Sequence, residues 1–348
     1  MNVGVFGIGS IGGVVASSLI SAGKCNVTLF ARGQALKALS TTGLNLKTHE
    51  GDQHHFNVVD ALVDSEQIQC QPPQPLDYLL LCTKAHQVPS IASSLSQLLI
   101  SNPNMIVVPC TNGLPFWFHP LESTDPDGIL SHTIPRKNLL GSQCFISGAA
   151  KPDYSLWETH WPSERNTLLF GELDGGELDG GELDGGGATR AQQLADLFQG
   201  SRVQVQTNVC QPDDPQHIRD HIFDKLLINC SINTIGALTK LDCGETCETN
   251  SPSNRLLQRL VTEAIAVGEQ CVPPLTLTHT PQSISKHYNN QYGLKSSMLH
   301  DVENHRQLEK GFIVDPLVEL GKVYNVPTPC LETVSDLLDV YEHQRVRG

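Results

Sequence analysis

Long apolar runs are missing from this sequence. No hydrophobic stretch approaches the ~20 residues that a membrane-spanning helix requires, so no membrane partner is expected. A basic leader is missing too. MNVGVFGIG runs straight into a strand-like segment, which argues against a secretory signal. Positive charge is in short supply, with 23 Lys and Arg against 37 Asp and Glu, a net charge of −14. Such a surface suits nucleic acid poorly, and a small anionic ligand needs locally placed cations. Cysteine pairs are scarce. The eleven cysteines are scattered, several inside apolar runs, as Cys82 is in LLLCTK and Cys230 in INCSIN. That pattern suits reduced thiols packed in a core and a cytoplasmic location. The one close pair, CGETC at 243–247, lacks a second pair at metal-ligand spacing, so no metal is expected.

What is present is organised. The 348 residues, 39% hydrophobic and 17% charged, suit a globular chain of two domains. The first 113 residues alternate strand and helix signals. NVGVFG (2–7), NVTLFAR (26–32), LDYLLLCTK (76–84) and MIVVPCTNG (105–113) are apolar runs bounded by turns, as in parallel strands buried on both faces. IGGVVASSLISAG (11–23) has helical periodicity and ends on glycine. The alternation predicts an α/β doubly wound sheet. Residues 43–59 read as a β-hairpin insertion. Residues 139–207 carry four more strand-like pieces, LLGSQCFISGAA, SLWETHW, NTLLFGEL and RVQVQT.

GELDGGELDGGELDGGG (171–187) is a five-residue repeat. An acidic calcium-binding repeat is one reading; the plainer one is a surface turn lengthened by tandem duplication, flexible and without a core. Beyond the Pro/Asp-rich linker CQPDDPQ (210–216), the segments 217–240, 253–271, 297–322 and 331–345 read as helices. The expected division is an N-terminal Rossmann-type dinucleotide-binding domain at 1–207 and an all-α substrate and catalytic domain at 208–348.

GIGSIG (7–12) is G-x-G-x-x-G between a strand and a helix. Gly7 permits the tight turn, Gly9 the approach of a pyrophosphate, and Gly12 close helix–strand packing. Ile8, Ser10 and Ile11 complete a loop whose backbone N–H groups and helix N-terminus face phosphate. The alternative is a structural glycine turn. The second strand ends LFARG, with Arg32 where an NAD-binding chain carries an acid. A guanidinium suits a 2′-phosphate, so NADP(H) is the expected cofactor; a solvated loop arginine is the alternative. CTKAHQ (82–87) and CTNGLP (110–115) end strands at the carboxyl edge, where Lys84, Gln87 and Asn112 can reach the cofactor or can be solvated turn residues.

FDKLLINCSINTIGAL (223–238) reads as an apolar helix with Lys225, Asn229 and Asn233 at i, i+4 and i+8. Each α-helical step of four drifts only ~40°, so the three form one polar stripe. Unpaired in a core, such groups cost on the order of 1–3 kcal/mol each, more for the ammonium. Either they pair with one another and a neighbour, or they line a wet cleft. In KSSMLHDVENHRQLEKGF (295–312), Ser297 sits at an expected helix N-terminus, where an N-cap is the plain alternative. Glu309 sits in an expected helical run, where a solvated acid beside Glu303, Arg306 and Lys310 is the alternative.

GIGSIG, ARG after the second strand, TKAHQ, TNG, DKLLINCSIN, SSML and Glu309 followed by NVPTP occur in an order that resembles the ketopantoate reductase family (2-dehydropantoate 2-reductase). The resemblance runs through both halves. It implies NADPH-dependent reduction of a branched 2-keto acid to a 2-hydroxy acid in pantothenate biosynthesis, on a Rossmann domain followed by a helical domain with the site between. It also implies Lys225 as general acid, Glu309 as its supporting carboxylate, and Asn229, Asn233 and Ser297 as substrate-binding residues. Lys84 and Asn112 match positions around the cofactor and the site's mouth. Another 2-keto acid, or a non-catalytic NADPH-binding sensor, are the alternatives. The family includes monomers and dimers, which leaves a homodimer open. Two features depart from many relatives: KGFIVDP follows Glu309 where an Asn-Gly pair is common, and GLPFWFHP (113–120) is unusually aromatic. Both bear on which keto acid is used.

Overall fold

Val3 and Val5 lie on a strand with a hydrogen-bonded neighbour on each side, and both are fully buried. That explains why the first strand is uninterruptedly apolar rather than alternating. The computed structural model describes residues 1–68, 75–173, 189–201, 205–210 and 216–347. Its contacts divide the chain into two units, Met1–Thr111 with Ile129–Asp214 and Asn112–Gly128 with Pro215–Gly348.

In the first unit the elements are β1 (Asn2–Phe6), α1 (Ser10–Ala22), β2 (Asn26–Ala31), α2 (Gly33–Thr42), β3 (Leu44–Lys47), β4 (Gln53–Phe56), β5 (Leu62–Asp64), β6 (Tyr78–Leu81), α3 (Ala92–Ser101) and β7 (Ile106–Pro109). After residue 128 follow α4 (Ile129–Thr133), β8 (Gly141–Phe145), β9 (Gly148–Ala150), β10 (Trp157–Thr159), β11 (Thr167–Gly171), α5 (Arg190–Asp196) and β12 (Gln206–Val209). The main sheet has the order β5-β2-β1-β6-β7, every pair parallel. Strand order reverses at β1, whose neighbours β2 and β6 lie on opposite sides. In a doubly wound sheet the ligand crevice opens there, at the carboxyl ends of the strands.

The hairpin expected at 43–59 is present, with Leu44–Lys47 paired antiparallel to Gln53–Phe56. It belongs to a separate four-stranded sheet, β4-β3-β10-β9, and β12-β11-β8 form a third. Trp157 of β10 is fully buried and packs where a side chain on Gly13 would lie, 2.1 Å from its Cδ1. Most of the ELDGG repeat lies outside the described residues. Its first acid, Glu172, pairs with Arg190.

The second unit is all helical among its described residues: α6 (Ile218–Ile228), a π-helical turn (Asn229–Asn233), α7 (Thr234–Thr239), α8 (Cys243–Thr246), α9 (Pro252–Gly268), α10 (Pro281–Tyr288), α11 (Ser297–Glu303), α12 (Lys310–Ile313), α13 (Asp315–Tyr324) and α14 (Pro329–Arg347). Two expectations need correction. The single helix expected over 297–322 is three helices. His305 takes a left-handed backbone (φ 53°), which ends α11, and the chain restarts at α12 and again at Asp315-Pro316. The helix expected over 217–240 is continuous but is not α-helical throughout, because the π turn interrupts it.

Carboxylates tie this unit's loops to its helices. Asp224, almost fully buried, accepts hydrogen bonds from Thr278 N, Thr278 Oγ1, His279 N and Gln216 Nε2 at 2.6–3.1 Å. Burial alone would raise its pKa; the hydrogen bonds from His279, Thr278 and Gln216 outweigh it and hold the carboxyl well below the ordinary range. Glu263 accepts from the N–H groups of Cys330 and Leu331 at the start of α14. Every cysteine among the described residues is a free thiol. Cys243 and Cys247 are buried, and burial is the main cause that pushes both thiols up to about 12. No helix of the described residues is long and apolar enough to cross a membrane.

Candidate functional site

The glycine turn after β1 is built by exclusion. Gly7 has φ +90°, and a Cβ there would lie 2.6 Å from Thr83 Cγ2. At Gly12 a Cβ would lie 1.9 Å from the Gly7 carbonyl oxygen, so α1 can start this close to β1 only on glycine. A Cβ on Gly9 would meet nothing within 4 Å, which leaves open space against the backbone at the N-cap of α1. Trp157 Nε1 donates to the Gly9 carbonyl at 3.0 Å and fixes the loop from below. Ile8 is buried and Ile11 packs against the core, while Ser10 Oγ accepts from Ala150 N at 3.4 Å. These groups fit a dinucleotide's pyrophosphate: a helix N-terminus, free approach at Gly9 and a fixed backbone.

Arg32 directly follows β2 and is the N-cap of α2. Its side chain is 51% exposed and lies 3.8 Å from Glu66, itself 64% exposed. Exposed pairs of this kind are worth about 0–1 kcal/mol and do not lock a guanidinium away from a phosphate. Lys84 and Gln87 are half-buried after β6, in a turn closed by the Gln87 N–H donating to the Lys84 carbonyl at 2.9 Å.

The other site residues lie in the second unit, in two groups. In the first, Lys225 Nζ donates to Asn112 Oδ1 at 2.9 Å, and Asn112 Nδ2 stands 3.5 Å from Glu309 Oε2. One amide therefore bridges the ammonium and the carboxylate. The backbone holds this bridge. Gly113 (φ +84°) runs so close to α12 that a Cβ would sit 2.1 Å from the Phe312 carbonyl oxygen, which accepts from Leu114 N at 2.7 Å. Phe312 N donates in turn to the Glu309 carbonyl at 3.0 Å. Glu309 is only 4% exposed, so it is not the solvated acid of the plainer reading. It is also not inside a helix; it is the N-cap of α12. Its flanks are pinned: Leu308 N donates to Glu342 Oε1 at 2.7 Å, and Lys310 is drawn to Asp315 at 2.7 Å and Asp339 at 3.1 Å.

In the second group, Asn233 Nδ2 donates to Asn229 Oδ1 at 3.1 Å and to Ser297 Oγ at 3.3 Å. The N-cap of α11 is Ser296, whose side chain accepts from Leu299 N, so Ser297 is the first helical residue and is exposed. Gly236 makes the approach of α7 to α11 close, since a Cβ there would lie 3.3 Å from Ser296 Oγ.

The π turn sharpens the polar stripe. An α-helical step from Lys225 to Asn229 drifts about +40°. A π turn closes its hydrogen bonds one residue later and winds at roughly 80° per residue, so the step from Asn229 to Asn233 drifts about −40°. The drifts cancel, and Asn233 returns nearly in line with Lys225. Residue composition carried no signal for this turn, and the bridging position of Asn112 was likewise invisible in TNG.

Within the aromatic segment 113–120, Phe118 packs elsewhere on α6. Phe118 lies 6.1 Å from Phe223, ring to ring, with Arg219 4.7 Å over its face. Phe223 precedes Lys225 by two residues and so points about 160° away from it.

A doubly wound parallel sheet with this glycine turn, followed by a helical unit, defines a class: the Rossmann-type, dinucleotide-dependent oxidoreductases. More narrowly, the chain belongs to the ketopantoate reductase (PanE/ApbA) family. Residues 3–174 match the family's N-terminal model and residues 217–342 its C-terminal model. It is 29% identical to a 2-dehydropantoate 2-reductase from Mesorhizobium japonicum, over 97% of both chains. Among solved structures it resembles 2-dehydropantoate 2-reductase from Methylococcus capsulatus (TM-score 0.77, 19% identity, covering 99% of this chain and 98% of that one). It also resembles D-mandelate dehydrogenase in its ternary structure with NADH and anilino(oxo)acetate (TM-score 0.78, 18% identity, covering 99% of each). At these identities the two structures speak for the fold alone.

Proposed function

We propose that the protein reduces a branched aliphatic 2-keto acid with NADPH, with 2-dehydropantoate as substrate and pantoate as product. The observation that carries this reading is the bridge Lys225–Asn112–Glu309 beside the hydrogen-bonded set Asn229, Asn233 and Ser297. A reduced nicotinamide, when bound, would supply the hydride that C2 of the keto acid accepts. Negative charge then develops on the carbonyl oxygen. The Lys225 ammonium stabilises that charge and gives up one proton to it, forming the hydroxyl, and is reprotonated from solvent. Asn112 orients the ammonium and links it to the Glu309 carboxylate. Asn229, Asn233 and Ser297 offer neutral donors for the substrate carboxylate, which discriminate against ligands lacking it.

Two further points support the details. Arg32 at the end of β2 favours the 2′-phosphate of NADPH over NADH. The packing of Phe118 on Phe223, turned away from Lys225, supports an aliphatic rather than an aromatic substrate. The test is a panel of 2-keto acids followed by NADPH absorbance. 2-Dehydropantoate is expected among the best substrates by kcat/KM. A preference for benzoylformate, or no turnover with any 2-keto acid, would remove this assignment.

A further inference from the structure

Two fully buried hydroxyls in the helix from Ile218 to Thr239 have no part in the chemistry above. Ser231 Oγ donates to the Leu227 carbonyl at 2.7 Å and to that of Ile228 at 3.2 Å. Thr234 Oγ1 donates to the carbonyls of Cys230 at 2.6 Å and Ser231 at 3.1 Å. Both residues are 0% exposed, among the apolar Leu227, Cys230, Ile232 and Ile235. Of the four accepting carbonyls, those of Leu227 and Ile228 immediately precede the π turn Asn229–Asn233, and those of Cys230 and Ser231 lie within it.

The placement has a physical consequence. In an α-helix each of these carbonyls already accepts the N–H four residues on, and a side-chain hydroxyl adds little or bends the helix. A π turn shifts the backbone bonds to five residues, so a carbonyl there can lose the N–H partner it has in an α-helix. A buried donor at that point therefore stabilises the π register relative to the α register. The register decides where Asn233 points. Eight α-helical steps would set Asn233 about 80° from Lys225, whereas the π turn brings it back into line.

We propose that Ser231 and Thr234 are positioning residues: their hydroxyls hold the π register that aligns Asn233 with Lys225 and brings it to Ser297. The inference rests on the functional reading above in one respect, that Asn233 binds the keto acid.

The test is the Ser231→Ala/Thr234→Val double variant, read by crystal structure and by kinetics. Residues 229–233 are expected to revert to α-helix. The KM for the keto acid is expected to rise about tenfold or more, the loss of one good hydrogen bond, with the NADPH dissociation constant unchanged. Thr234→Ser, which keeps the hydroxyl, is expected to stay within about twofold of the native KM. A double variant that keeps its π turn overturns the proposal, as does one that loses thermal stability with KM unmoved. If the double variant does not fold, the single variants Ser231→Ala and Thr234→Val are read in the same two ways. Should the native protein reduce no 2-keto acid, the functional reading fails by itself, and the register in the variant's crystal structure still decides the role of the hydroxyls.

Discussion

The glycine turn of the first unit and the polar helix of the second, the two candidate ligand-binding elements, are built by opposite means. The turn works by omission. At Gly7 and Gly12 a side chain would collide with the chain itself, and Gly9 leaves open space beside its backbone. The helix works by addition. Lys225, Asn229 and Asn233 project polar groups from an apolar element, and each needs partners to be tolerated there. Omission leaves a mark that is easily read along the chain. Addition depends on partners that arrive from far away, such as Asn112, Ser297 and Glu309.

Breaking the helix side should cost most. Lys225→Ala is expected to lower kcat by about 10³-fold while NADPH binding, followed by fluorescence titration, stays within error of the native value. Unchanged turnover would take the lysine out of the mechanism. On the first unit's side, Arg32→Ala is expected to weaken NADPH about tenfold in KM with little change for NADH, through loss of a charge-assisted contact. Equal effects on both cofactors would leave Arg32 a solvated surface group.

The two units should also part company in acid. Asp224 titrates below the ordinary carboxylate range in the folded protein. Its contribution to stability is therefore complete above pH about 4 and is lost as the pH falls below that value. Asp224→Asn is expected to cost about 2 kcal/mol at neutral pH in denaturant titrations, and to flatten the acid dependence of the helical unit's unfolding. An acid limb as steep as the native one would assign that dependence to other carboxylates.

Much of the architecture could be read from residue order. Continuous apolar runs gave the parallel strands around Val3, Val5, Leu79 and Leu80, and residues 43–59 were legible as a hairpin. The boundaries failed where local pattern meets distant geometry. Asn112 closes an apolar strand signal, yet it groups with the helices because Leu114 N donates to the Phe312 carbonyl and Gly113 lies close against it. Glu309 sits amid helix-forming residues, but the left-handed His305 breaks the run and leaves the acid at a helix start. The π turn had no sequence signature, since Ser231 and Thr234 are ordinary residues whose effect depends on which carbonyls they reach. The stripe of Lys225, Asn229 and Asn233 was legible because i, i+4 spacing survives an error in register of one residue.

The most direct measurement is a double-mutant cycle on kcat with Lys225→Ala, Glu309→Gln and the double variant. If Lys225, Asn112 and Glu309 work as one assembly, the carboxylate acts only through the lysine. The double variant is then expected to turn over no more slowly than Lys225→Ala alone. Losses that multiply would show two independent contributions and contradict the bridge.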